Sequence, residues 1–166
     1  MSSSRDNAWL QWLLDETWDN YFGDVPQEND VRIVFGRRTA RRLGSIALDP
    51  RDLKTSVITM NGLFRLLEVP EFVVQATLVH ELTHYAHGFN SPLSQRQSHP
   101  HAGGVMRREF AERGLLDLHL QQKRWLKAEW AALVARELAM RTPRRRPGTL
   151  QQRPPSVPKP FWFLGD

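Results

Sequence analysis

The chain contains no cysteine. That excludes disulfide cross-links, thiol catalysis and any cysteine-ligated zinc finger. Nor is there an apolar run approaching the roughly 20 residues that a helical membrane span needs. The first seven residues are polar and do not read as a secretory signal. Together these features lead us to expect a cytoplasmic protein without a membrane partner. A surplus of acid is also missing. The 166 residues hold 23 Lys and Arg against 18 Asp and Glu, a formal charge of +5. The imbalance is confined to one end. Residues 1–140 carry 17 basic and 17 acidic side chains, whereas residues 141–166 carry Arg141, Arg144, Arg145, Arg146, Arg153 and Lys159 against Asp166. Such a tail is suited to following nucleic-acid phosphates without reading sequence. Non-specific DNA contact through Arg141, Arg144, Arg145 and Arg146 is one expectation, and a merely solvated terminus is the other.

What is present suffices for one compact core, since 40% of the residues are apolar. The expected division is a single domain over residues 1–140 and a basic, proline-rich tail over residues 141–166. The tail ends in an apolar patch, Phe161, Trp162, Phe163 and Leu164, suited to folding back or to binding a partner. Residues 8–22 read as an amphipathic helix with Leu10, Leu14, Trp18 and Tyr21 near one stripe, widened by Trp9, Trp12 and Leu13. Short β-branched and aromatic runs at 31–35, 45–48 and 56–60 read as strands. Asn61-Gly62 favours a turn after the third. Pro70-Glu71 opens a helix that should run to about His87 and end at Gly88. Residues 88–100 are loop-like. A second helical region spans about 102–141 and should break near Gly114. Its apolar positions are Leu118, Trp125, Leu126, Leu133, Val134 and Leu138. The fold class expected is α+β: a small antiparallel or mixed sheet packed on helices. No internal repeat is visible.

The helix opened by Pro70 carries the chemistry. It contains His80-Glu81-Leu82-Thr83-His84 after an apolar run. Histidines four residues apart share one helical face and can grip one Zn²⁺ ion. The intervening Glu81 falls on an adjacent face, where it can serve as general base toward a zinc-activated water. Hydrolysis of peptide bonds is the leading expectation. The alternative is that the histidines only pack or hydrogen-bond. The third ligand has four candidates: His87, His99, His101 and Glu109. On a straight helix His87 stands roughly 10 Å along the axis from His80, too far for one ion to serve both. It is better placed to hydrogen-bond near the helix end. His99 and His101 flank Pro100 at the end of a loop long enough to fold back over a metal. Glu109 would make a His-His-Glu site or be an exposed helix carboxylate. Tyr85 and His99 are weighed as oxyanion stabilisers, with packing the favoured role for Tyr85. The basic cluster Arg37, Arg38, Arg41 and Arg42 reads as solubilising surface more than as a phosphate site. The segments 45–48 and 56–60 are both candidates for a sheet edge that an extended substrate could join, and the loop 88–99 for a lid or wall.

Several of these features resemble the SprT-like (Spartan-related) metallopeptidases, of the HExxH zincin type. They are Arg42-Leu43-Gly44, Ile46-Ala47-Leu48-Asp49-Pro50, His80-Glu81-Leu82-Thr83-His84 and Pro100-His101-Ala102-Gly103-Gly104-Val105. The similarity covers about residues 30–115. It implies a zincin-like minimal metallopeptidase domain, with His101 as the third zinc ligand beside His80 and His84. The family carries an aromatic residue four positions after that histidine, where this chain has Val105. The resemblance also implies proteins bound or crosslinked to DNA as a substrate class. Family members that bind DNA through a cysteine-rich ribbon have no counterpart here; the arginine tail is the electrostatic substitute. The rivals are a non-catalytic, nucleic-acid-associated protein with a structural zinc site, and an interaction protein using its tryptophan-rich helix and terminal aromatic patch. Oligomeric state is not legible in the sequence.

Overall fold

The computed structural model describes residues 4–140. The expectations placed on the tail arginines and on the patch Phe161–Leu164 lie outside the described residues. Helix α1 (Asn7–Tyr21) starts where Asp6 accepts a hydrogen bond from the Trp9 amide at 2.8 Å, an N-cap that satisfies one orphan donor. Its buried positions are Leu10, Leu13, Leu14 and Thr17, an i, i+3, i+4, i+7 stripe. Trp18 and Tyr21 pack partly buried at its edge, but Trp12 is 49% exposed and stands outside it.

Three five-residue strands follow: β1 (Val31–Phe35), β2 (Gly44–Leu48) and β3 (Ser56–Met60). Their order is β1-β3-β2, with β1 parallel and β2 antiparallel to β3, so the sheet is mixed. β3 is central and hydrogen-bonded on both sides. It therefore cannot offer an edge to a substrate, and β2 can. Asn61 does more than turn the chain. Its side chain caps a 3-10 turn (Gly62–Arg65) by accepting from the Leu63 amide at 2.9 Å.

Helix α2 (Glu71–Ala86) is the centre of the molecule, and Val73–Val74 and every residue from Ala76 to Ala86 are buried. It packs against β2 and β3, against α1, and against the helices that follow. Thr77 and Thr83 return their hydroxyls to the carbonyls of Val73 and Val79 at 2.9 Å, which lets polar residues sit inside the core. After a loop and a short 3-10 turn (Ala102–Gly104) comes α3 (Val105–Glu112), and the helical path breaks at Gly114 as expected. α4 (Leu116–Trp125) continues through a π-helical turn (Leu126–Trp130) into α5 (Ala131–Ala139) without leaving helical backbone. The buried stripe of this long helix includes His119, Gln122 and Glu137 besides Leu126, Trp130, Leu133 and Val134. Gln122 Nε2 donates to Val73 O at 3.0 Å and to Thr77 Oγ1 at 2.9 Å, tying α4 to α2. No helix among the described residues is long and apolar enough to cross a membrane.

Candidate metal centre

His80 and His84 project from the same face of α2, and the chain brings His101 to them after the loop that follows the helix. The three rings form a near-equilateral triangle, with centroids 4.8, 4.9 and 5.1 Å apart. One nitrogen from each lies within 4.8 Å of the other two. Ligands of a tetrahedral metal at about 2.1 Å stand roughly 3.4 Å apart, so side-chain rotations of an ångström or so close this cluster on one ion. The donor set therefore fits a metal. No fourth His, Asp or Glu belongs to the cluster among the described residues. Gly103 and Gly104, both at positive φ (63° and 68°), turn the backbone from His101 into α3. Two successive residues in that region strain any side chain with a Cβ, so the pair fixes where His101 leaves the loop.

The electrostatics favour ligation. Burial holds His80 well below the ordinary imidazole range, and the neighbouring His84, His101 and His119 push the same way. Burial, followed by His101 and His87, lowers His84 to about 3. His101 is also lowered by burial. All three imidazoles are thus neutral at physiological pH, the form whose lone pair binds metal. Glu81 is 3% exposed, and burial pushes its carboxyl up to about 8, opposed by the charge of Arg42. A dication among the three rings would favour its ionised form by the same Coulomb interaction.

These groups line a cleft of about 590 Å³ whose wall is β2. Gly44 is the point of closest approach to α2. A Cβ placed there would stand 2.8 Å from Glu81 Oε1 and 2.9 Å from Thr77 Cγ2. Hydrogen bonds from Asn61 N to Leu43 O and from Asp49 N to Thr55 O, with the register, assign residues 43, 45, 47 and 49 to the pairing with β3. Gly44, Ile46 and Leu48 consequently aim their backbone groups at the free edge. One of these is already occupied: Asn90 Nδ2 donates to Ile46 O at 3.1 Å. Asn90 sits at φ 55°, and its own carbonyl accepts from Ser56 Oγ at 2.7 Å. The loop after α2 is thereby stitched to the sheet at this end of the cleft. Phe89 beside it packs edge-on to His84. A larger hollow of about 790 Å³, lined by Glu28, Asn29, Leu53 and Ser91 among others, contains no histidine; the smaller cleft holds the three histidines and Glu81.

The remaining candidates fall elsewhere. His87 Nε2 lies 2.6 Å from Glu109 Oε1, and Glu109 also accepts from Arg113. Both act in a network at the end of α2, and Glu109 is outside the cluster. His99 is exposed and does not line the cleft. The Tyr85 hydroxyl donates to Asn29 Oδ1 at 2.8 Å and accepts from the Glu28 amide at 3.2 Å, while its ring packs edge-on to Trp18. It is a core residue, away from the cleft lining. Asn90 was not among the sequence candidates. Its signal was an asparagine two residues past a helix-ending glycine, a residue type that tolerates left-handed backbone. No protein-family model, curated protein or solved structure matches the chain.

Proposed function

We propose that this protein is a zinc-dependent endopeptidase of the SprT-like kind. The observation that carries the reading is the convergence of three imidazoles beside the buried carboxyl of Glu81, along the outer edge of β2. Three nitrogen ligands with no fourth protein group among the described residues suit a catalytic zinc more than a closed structural one. His80, His84 and His101 would hold the ion, which when bound supplies Lewis acidity toward the scissile carbonyl and the attacking water. Glu81 takes the proton from that water as its oxygen adds to the carbonyl carbon. It then delivers the proton to the leaving amine as the C–N bond breaks. The outward backbone groups of Gly44 and the Ile46 amide are available to an extended peptide, which fixes the scissile bond against the base. Burial of Glu81 excludes competing water from the carboxylate.

DNA-bound proteins as substrates rest on the resemblance and on the tail arginines Arg141, Arg144, Arg145 and Arg146. The test of the core reading is metal content and proteolysis of the purified full chain. We expect about one zinc per chain, and cleavage of an unfolded protein such as casein that is lost on chelation and restored by zinc. Glu81→Gln should retain the metal and lose about 10²–10⁴-fold in rate. Equal cleavage by Glu81→Gln after repurification would remove Glu81 as the base.

A further inference from the structure

The loop between β1 and β2 carries four arginines, of which the chemistry above uses only the charge of Arg42 on Glu81. The loop's backbone is held from several sides. Asn61 Nδ2 donates to Thr39 O at 2.8 Å and to Arg42 O at 2.7 Å, and Trp130 Nε1 donates to Ala40 O at 3.0 Å. The Gly62 amide donates to Arg37 O at 3.1 Å. One guanidinium is consumed by this architecture: Arg38 pairs with the buried Glu137 at 2.7 Å. Arg41 and Arg42 are exposed, form no ion pair with another described residue, and line the metal cleft at the Gly44 end of β2. Glu81 is the sole acid among the described residues lining that cleft. Arg37 is also exposed but lines a separate hollow with Thr59 and Met60, which Arg42 borders as well, and not the metal cleft.

The substrate edge is thus asymmetric. At its Ile46 end Asn90 occupies one carbonyl, and its Gly44 end is bordered by Arg41 and Arg42, neither of them ion-paired with another described residue, on a backbone held in place. We propose that Arg41 and Arg42 form a subsite for an acidic side chain, Asp or Glu, of the peptide substrate close to the scissile bond. This rests on the peptidase reading. A planar guanidinium matches a carboxylate through paired hydrogen bonds, and two of them at one strand end suit a single side chain. A nucleic-acid strand asks for a run of cations along its phosphates, whereas of this loop's arginines only Arg41 and Arg42 line the cleft: Arg38 pairs with Glu137 and Arg37 borders the other hollow.

The test uses zinc-loaded full-length protein and fluorogenic peptides that differ only in Glu, Gln or Lys at each position flanking the scissile bond. At one position Glu should raise kcat/KM over Gln by about tenfold, the scale of one charge-assisted hydrogen bond, and Lys should lower it. That preference should weaken as salt rises. The double variant Arg41→Gln/Arg42→Gln should bring the Glu/Gln ratio to about one, while Arg37→Gln keeps it. The ratio is the readout, because loss of Arg42 also acts on Glu81 and slows both peptides alike. Equal rates for Glu and Gln peptides at every position, or a preference that survives in the double variant, would overturn the subsite. So would a short oligodeoxythymidylate that competes only through these two arginines when no Glu preference exists. If no peptide is cleaved, the peptidase reading fails. The Glu/Gln affinity ratio of Glu81→Gln protein, read by fluorescence anisotropy, still decides the subsite.

Discussion

Substitution of Gly44 by alanine is the sharpest probe of the contact between β2 and α2. An added Cβ would meet Glu81 Oε1 at 2.8 Å, Thr77 Cγ2 at 2.9 Å and Glu81 Cγ at 3.1 Å. Carbon contacts settle at about 3.5–4.0 Å, so something must move. Thr77 cannot: its hydroxyl donates to Val73 O and accepts from Gln122 Nε2, both at 2.9 Å, and β-branching fixes its rotamer in the helix. The carboxylate of Glu81 is the part that yields. Overpacking of this kind costs about 1–3 kcal/mol, which for a chain of this size lowers Tm by roughly 3–10 °C. A base displaced by about an ångström costs on the order of 100-fold in rate. Zinc affinity should stay near that of the wild type, since none of the three histidines is touched. Differential scanning calorimetry, peptide kinetics and zinc titration separate these effects. In a Glu81→Ala background the stability cost of Gly44→Ala should shrink, leaving only the Thr77 contact. An identical cost in both backgrounds, or a Gly44→Ala protein with normal Tm and normal activity, would refute the reasoning.

His101→Ala should lower zinc affinity by more than about 100-fold, beyond the usual effect of an outer-shell change, whereas His99→Ala should leave it unaltered; competition with a chromophoric chelator reads both. The metal-stripped protein should have a stability plateau with two falling arms. Glu81 has a folded value of about 8 above an ordinary 4.5, so its contribution is complete below 4.5 and is lost as pH rises through 8. His84, at about 3 against an ordinary 6.5, contributes fully above 6.5 and is lost as pH falls toward 3. Urea unfolding with chelator should therefore show greatest stability between those ordinary values, and Glu81→Gln should erase the alkaline arm, on the order of 3–5 kcal/mol. Glu109→Ala strands the buried His87, whereas Arg113 keeps its contacts to Asp24 and Tyr21 O. The substitution should cost about 1–3 kcal/mol in chemical denaturation with zinc affinity unchanged.

Much of the frame was legible because local periodicity reports local burial. The three strands and α2 appear within a residue or two of where pattern and turn residues put them. The break at Gly114 appears as well. Polar residues in the core were not legible. His119, Gln122 and Glu137 lie in the buried stripe of the last helix, and an apolar tally passes over them. Their burial depends on partners far away in sequence: Gln122 on Val73 and Thr77, and Glu137 on Arg38. Trp12 shows the converse. It looks like core by type, yet the helix turns it outward.

The pairing of His80 with His84 and the position of Glu81 between them follow from sequence alone, because 3.6 residues per turn fixes which side chains share a helical face. Residue spacing left His87, His99 and Glu109 open beside His101, and the family resemblance implied His101; bringing it to the pair is a tertiary event. It required a folded loop, a pair of left-handed glycines and a carboxylate already engaged by His87. The same holds for β2 as an outer strand of the sheet and for the arginines that line the cleft beside it. Strand order and loop closure are set by long-range packing, and no local spacing encodes which edge stays free.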